Sequence, residues 1–581
     1  MHSIKKKNNF IDNRLAFLST ILLAFAILLV GKMGYMQIWQ HGYYNDLADR
    51  QHQMDAEISP DRGEIFLQDY KEPGKYFPLA TNRKFYLVYA NTTEVKYPRD
   101  ILDKLIEVLG IEDEEKQSVV LTRLIKEDDI YEPIQHKVTT EQKAKLEEYE
   151  LPGIHFIEEI WRYYPEGNVG SHVTGFVSSP ENGYGGQYGL EGFFNEELTG
   201  VKGEMTYDKD ALGSIIPTAE RVYERAENGF NLVLTIDRSI QFRVCDLLAK
   251  HTIKYGAAIG TAIIMNPNTG AIMAMCSYPD FDPNQYNQVE SMDIYNNPAI
   301  FTAYEPGSVF KAITMAAAID QDKVTPETTY EDTGEVEIGK YIIHNSQEKI
   351  YGVQNMTEVL EKSINTGAIW VAQELGFSKF HDYVQNFGFG QLTGITLDQE
   401  MAGNISALDK PSDIYLATAS YGQGITTTPI QLITAFSAIA NGGKLMKPYL
   451  VDKVIFSSGL SEQNKPAMVR QVISAKTSMT VSAMLTSVVE SGHANLAAVP
   501  GYYIAGKTGT AQVVNYNTGG YDVDKTIHTF VGFAPVNNPK FVVLVKFDHP
   551  ANVEFAASSA APLFGELAQF LLQYLQVPTE K

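Results

Sequence analysis

A chain of 581 residues is too long for one ordinary core, so two or three domains with ample burial in each are expected. Its 70 acidic and 47 basic side chains give a formal net charge of −23, which argues against nucleic acid as a partner, because phosphate binding requires a basic face. Cys245 and Cys276 offer neither metal-ligand spacing nor a disulfide framework, and two buried free thiols are expected in preference to a single bridge.

The start departs from the acidic balance. Lys5, Lys6, Lys7 and Arg14 precede an apolar run from Leu15 to Val30 that resumes after Lys32 as far as Trp39. With Lys32 snorkelling, the run reaches the roughly 20 residues needed to cross a bilayer. The basic flank predicts a cytoplasmic tail over residues 1–14, an anchor over 15–39 and everything beyond Trp39 outside. A cleaved signal peptide is the competing reading. Its apolar region is usually ~7–15 residues long and ends at a small-residue site, whereas this run leads into Lys32-Met-Gly-Tyr-Met-Gln-Ile-Trp39.

Residues 40–228 read as a mixed pedestal domain of short strands, turns and one or two amphipathic helices. Phe85 to Tyr89 has strand character and Ile101 to Leu109 helical spacing. The acidic run from Glu112 to Glu115 reads as a solvated face, and the glycine-rich segments Arg162 to Gly175 and Tyr184 to Gly189 as turns.

A second domain is expected over 229–581. Asn231 to Ile236 reads as a strand and Ser239 to Lys254 as a helix. Two apolar runs between Gly260 and Cys276 flank Asn266-Pro-Asn-Thr-Gly270, a hairpin signal. Tyr502 to Val514, Thr529 to Ala534 and Phe541 to Phe547 read as three more strands, and Ser558 to Leu575 as a closing helix. Strands from both ends of a domain, with helices between them, predict an antiparallel sheet with layered helices, an α+β arrangement.

Chemistry first shows between Glu305 and Asp320. Past Lys311 the residues are apolar nearly all round, which marks a helix enclosed in a core. Ser308 and Lys311 are three apart and share a face, with Cβ atoms roughly 5–6 Å apart. Desolvation favours the neutral amine, which can then accept the proton of the hydroxyl and activate it without histidine. Ser-x-x-Lys alone is a weak signal. It recurs at Ser3 to Lys6 in the tail and at Ser346 to Lys349 in a polar stretch, neither of which offers that desolvation. Ser363-Ile-Asn365, taken alone, is an ordinary turn or helix cap. Gly506-Lys-Thr-Gly-Thr-Ala-Gln512 lies in a strand-like stretch, where an interior glycine is unfavourable unless another backbone or a ligand approaches closely. Lys507, Thr508 and Thr510 there suit a carboxylate.

In this order the three segments resemble the active-site motifs of penicillin-recognising serine acyl-transferases. Arg62-Gly-Glu-Ile65, Arg162 to Phe176 and Gly189-Leu-Glu-Gly-Phe193 resemble the pedestal of class B penicillin-binding proteins. With Ser420-Tyr-Gly-Gln-Gly424 the likeness covers nearly all of the chain after the anchor. It implies the penicillin-binding transpeptidase fold, a five-stranded antiparallel sheet with helices plus a helical subdomain. No segment reads as a glycosyltransferase domain or a long C-terminal accessory tail, so a monofunctional transpeptidase is expected.

The resemblance also implies roles. Ser308 attacks the carbonyl between the last two D-alanines of a peptidoglycan stem peptide, with neutral Lys311 as base. The backbone N–H groups of Ser308 and Thr510 form the oxyanion hole. Ser363 and Lys507 relay a proton to the leaving amine, and Asn365 holds the substrate amide. Lys507, Thr508 and Thr510, with Gly509 between them, bind the terminal carboxylate. An amine of a neighbouring stem resolves the acyl-enzyme, and β-lactams trap the same serine. Neither metal nor cofactor is implied. The implied partner is a SEDS-type glycan polymerase in the membrane. Division and elongation enzymes share these motifs, and length with the lack of an extra tail leans to division. Two alternatives stay open, hydrolysis by a D,D-carboxypeptidase or β-lactamase, and a non-catalytic β-lactam sensor or septal scaffold.

Overall fold

The computed structural model describes residues 9–44, 53–178, 185–208, 222–514 and 520–581. Lys5 to Lys7, the Ser3 to Lys6 match and Tyr184 lie outside the described residues. Contacts divide the chain into two units, Met1–Pro60 with Gly200–Glu227, and Asp61–Thr199 with Asn228–Lys581.

In the first unit, a 30-residue helix spans Asn9–Ile38. Its stretch Arg14–Ile38 has a mean hydropathy of 2.3 and is long and apolar enough to cross a membrane. From Leu15 to Ile38 its leucine, isoleucine and phenylalanine side chains are exposed, as a lipid-facing helix requires. The same unit holds a three-stranded antiparallel sheet of Gln53–Ile58, Gly203–Asp208 and Val222–Glu224.

The second unit contains two larger sheets. In the seven-stranded one, Phe77–Ala90 pairs antiparallel with Ile154–Tyr163, Glu132–Val138 and Ile65–Gln68. The helix Pro98–Leu109 buries Ile101, Leu105 and Leu109 in a small separate core, the face its spacing predicts. The acidic run at 112–115 is exposed, and it also starts a helix, because the Asp113 carboxylate accepts the Glu115 N–H and caps Glu114–Leu124.

The strand Asn231–Asp237 joins this sheet rather than the one that follows it in sequence. It runs parallel to Ile65–Gln68 on one edge and antiparallel to Val451–Ile455 on the other. Its apolar run is buried on both faces, so it takes an interior position with a partner on each side.

The pedestal-like segments Arg62, Arg162 and Glu191 meet in one buried cluster. Glu191 accepts from Arg62 Nε at 2.8 Å and Arg162 Nε at 2.6 Å, and the Tyr164 hydroxyl lies 3.3 Å away. Burial by itself pushes the Glu191 carboxyl up, but the two guanidinium charges and their hydrogen bonds outweigh it and hold it below the usual carboxylate range. Arg62 also reaches Asn195 and Thr199, so a charge that would be costly alone is fully met.

The five-stranded sheet is built from β1 (Ile259–Met265), β2 (Ile272–Tyr278), β3 (Ala505–Val514), β4 (Tyr521–Ala534) and β5 (Phe541–Asp548). Its order is β2-β1-β5-β4-β3, and every neighbouring pair is antiparallel, the predicted α+β arrangement. The helices Arg238–Tyr255 and Ala560–Tyr574 pack against it. Pro429–Ala440, whose every residue is buried, packs on it as well.

The expectation of free thiols is corrected. Cys245 and Cys276 form a disulfide. Packing of the helix Arg238–Tyr255 on β2 brings their Cα atoms to 5.4 Å, within bridging reach. A separation of 31 residues gives no hint of that approach. Gln241, one turn earlier, fastens the same contact by donating to the Met275 carbonyl and accepting its N–H.

Candidate active site

The chain enters the central helix through a 3₁₀ turn, Gly307–Phe310, which carries half-buried Ser308 and passes into the α-helix Lys311–Asp320. Residues 311 to 318 of that helix are buried, including Lys311 at 1% exposure. Its Nζ donates to the Ser363 carbonyl at 2.6 Å and to Asn365 Oδ1 at 2.7 Å, and lies 3.3 Å from Ser363 Oγ. Burial drives the Lys311 pKa well below its ordinary value, and the charge of Lys507 lowers it further. A neutral amine has two N–H donors and one lone pair. The two carbonyl oxygens use the donors, which leaves the lone pair for a hydroxyl proton.

Ser363 joins two helices, Met356–Glu361 and Asn365–Leu375. Its φ of +53° lies in the left-handed region, uncommon for a residue other than glycine, and the sharp turn lets its hydroxyl and the Asn365 amide both face Lys311. From the opposite side Lys507 Nζ donates to Ser363 Oγ at 3.0 Å and to the Thr508 carbonyl at 3.1 Å. Lys507 is also 1% exposed, and burial pushes its pKa down to about 7.

Lys507 to Thr510 lie on β3, an edge strand of the sheet. A Cβ at Gly509 would stand 2.8 Å from the Pro306 carbonyl oxygen and 3.1 Å from Val309. Only glycine lets the turn that bears Ser308 lie this close to β3, the backbone approach that an interior strand glycine signals. The turn is held from its other side by Gly422, whose carbonyl accepts the Gly307 N–H at 3.0 Å. Thr508 is buried, and the Thr510 hydroxyl accepts the Ala556 N–H at 3.1 Å.

The structure thus brings Lys311, Ser363, Asn365 and Lys507 into direct contact and packs the turn that bears Ser308 against β3 at Gly509. The competing match at Ser346 to Lys349 lies on an exposed 3₁₀ turn and offers neither residue any burial. Among the described residues no group of three or more His, Cys, Asp or Glu side chains is placed to hold a metal ion. Sequence reasoning missed His344, whose carbonyl accepts from Asn365 Nδ2 at 3.1 Å, and buried Asp332 and Asn345 behind it. These polar residues sit in a stretch without hydrophobic period, and nothing in it marks them as buried.

Comparison with known proteins agrees with this architecture. Residues 260–569 match the penicillin binding protein transpeptidase domain and residues 57–234 the penicillin-binding protein dimerisation domain. Stage V sporulation protein D of Bacillus subtilis is 32% identical over 582 aligned positions, spanning 100% of this chain and 88% of that protein. Peptidoglycan D,D-transpeptidase FtsI of Escherichia coli is 29% identical, spanning 98% and 93%. The crystal structure of penicillin binding protein 3 from Mycobacterium tuberculosis complexed with aztreonam aligns over 90% of this chain and 98% of that one, at 26% identity and a TM-score of 0.69. The chain belongs to the penicillin-binding protein transpeptidases, and with a dimerisation domain ahead of the transpeptidase domain it is a class B penicillin-binding protein.

Proposed function

We propose that this chain is a membrane-anchored peptidoglycan D,D-transpeptidase that cross-links stem peptides through an acyl-enzyme on Ser308. The observation that carries the reading is the convergence of Lys311 and Lys507 on Ser363 Oγ, at 3.3 and 3.0 Å, with Ser308 one turn from Lys311.

Ser308 Oγ attacks the carbonyl of the penultimate D-alanine and gives its proton to neutral Lys311. The backbone N–H groups of Ser308 and Thr510 stabilise the oxyanion. Collapse breaks the peptide bond, and the departing D-alanine amine takes a proton through Ser363 and Lys507. The acceptor amine of a second stem then attacks the ester, forms the new amide bond and returns the proton to Ser308. Asn365 holds the donor amide, and Lys507, Thr508 and Thr510 bind its terminal carboxylate. As an edge strand, β3 offers backbone partners to an extended peptide. A β-lactam follows the same first step and stays on Ser308.

The long apolar helix supports an anchor over 15–39 with a cytoplasmic tail at 1–14. The pedestal over 40–228 and the transpeptidase domain over 229–581 then lie outside, and the Cys245–Cys276 bridge supports that sidedness because disulfides persist in oxidising compartments. In that setting the partner is a membrane-embedded glycan polymerase of the SEDS type, met through anchor and pedestal. The test uses the detergent-solubilised full-length chain with a D-alanyl donor analogue and a D-amino acid as acceptor. The expected main product carries the D-amino acid in place of D-alanine. Hydrolysis alone, at saturating acceptor, would overturn transfer in favour of a carboxypeptidase.

A further inference from the structure

The helix Asn365–Leu375 has an unusual start. Its N-cap residue is Ile364, which has no side chain able to accept the free N–H groups of the first turn. The preceding helix, Met356–Glu361, is capped locally by Asn355 and Glu358 in a reciprocal pair. At Asn365 the acceptor comes from elsewhere. Asn345 Oδ1 takes the Asn365 N–H at 3.0 Å and the Thr366 N–H at 3.1 Å, from 20 and 21 residues upstream.

Asn345 is itself fixed. Its Nδ2 donates to both oxygens of Asp332, at 3.0 and 3.1 Å, and to the Lys349 carbonyl at 3.1 Å. These acceptors on one side and backbone donors on the other determine which way the amide faces. Asp332, 2% exposed, also receives the Gly334 N–H at 3.1 Å, the Tyr351 N–H at 2.7 Å and the Thr366 hydroxyl at 2.6 Å. A buried carboxylate with this many donors is a rigid anchor. It lies at the end of the strand Thr329–Asp332, and a hairpin of Glu335–Ile338 and Tyr341–His344 separates it from Asn345.

We infer that Asn345, held by Asp332, is a positioning residue that caps the helix Asn365–Leu375 from outside and thereby sets the Asn365 side chain against Lys311. The inference rests on the proposed role of Asn365 at the Ser308 site. Loss of the cap frees the first turn at the residue whose Oδ1 accepts a hydrogen bond from Lys311 Nζ and whose Nδ2 donates to the His344 carbonyl. A small misplacement there is costly, because the reacting groups are useful only near their productive geometry.

The experiment measures the second-order rate of acylation by a fluorescent penicillin, using the full-length chain in detergent. Asn345→Ala is expected to slow it ~30-fold, and the isosteric Asp332→Asn about 10-fold, since displacing a reacting group by ~1 Å costs on the order of 100-fold. A double-mutant cycle separates positioning from general weakening. In an Asn365→Ala background the Asn345→Ala loss is expected to shrink to under ~3-fold, because the group it positions is gone. The same loss in both backgrounds, or no loss in the single variant, overturns the inference. Should Asn345→Ala not fold, Asp332→Asn serves in the same cycle. Ser308→Ala is the control: labelling that persists there breaks the underlying reading of the site, whereas normal labelling of Asn345→Ala with Ser308 intact breaks only the positioning role.

Discussion

Lys311→Ala is expected to slow acylation by a penicillin by ~10³-fold, within the range for loss of a general base. Lys311 hydrogen-bonds both Ser363 and Asn365, and burial favours its neutral form, the state that the proposed proton transfer from Ser308 requires. Lys311→Arg is expected to be nearly as slow. A guanidinium would keep a positive charge in the same place but stays protonated across the accessible pH range and accepts nothing. Stopped-flow acylation of both variants separates a base from a mere cation. Recovery of most of the rate by arginine would mean that charge, not proton acceptance, is what the position supplies.

The second large effect is on pH dependence. Burial first, and then the charge of Lys507, push Lys311 toward its neutral form. Acylation therefore rises on the acid side as Lys311 becomes neutral. It is expected to fall again above about pH 7, where Lys507 loses the charge proposed to bind the substrate carboxylate. Lys507→Arg is expected to remove the alkaline limb, because arginine remains charged to a pH of about 12 or more. The acylation rate measured between pH 5 and 10 shows whether the limb moves. An alkaline limb unchanged in Lys507→Arg would assign it to another group.

The residues of the site were legible in the sequence to different degrees. A lysine at the head of a mostly apolar helix marks a site worth explaining, and the structure buries Lys311 there while leaving Ser308 half-buried on the 3₁₀ turn before it. An interior strand glycine is unfavourable unless something must come close, and at Gly509 the Pro306 carbonyl does. The left-handed turn at Ser363 was not legible, since it follows from the packing of two helices and not from the residue. The cap from Asn345 was equally hidden, because a hydrogen bond across 20 residues leaves no local pattern. The same holds for the Cys245–Cys276 bridge and for the strand Asn231–Asp237. Its apolar run records burial on both faces but not the identity of the two strands beside it.

The central claim is that the acyl group is carried by Ser308. Its most direct test is peptide mapping by mass spectrometry after the full-length chain is treated with benzylpenicillin. The expected result is a single penicilloyl adduct on the peptide containing Ser308, absent from Ser308→Ala. An adduct on Ser363 or any other residue, or one that persists in Ser308→Ala, would contradict it.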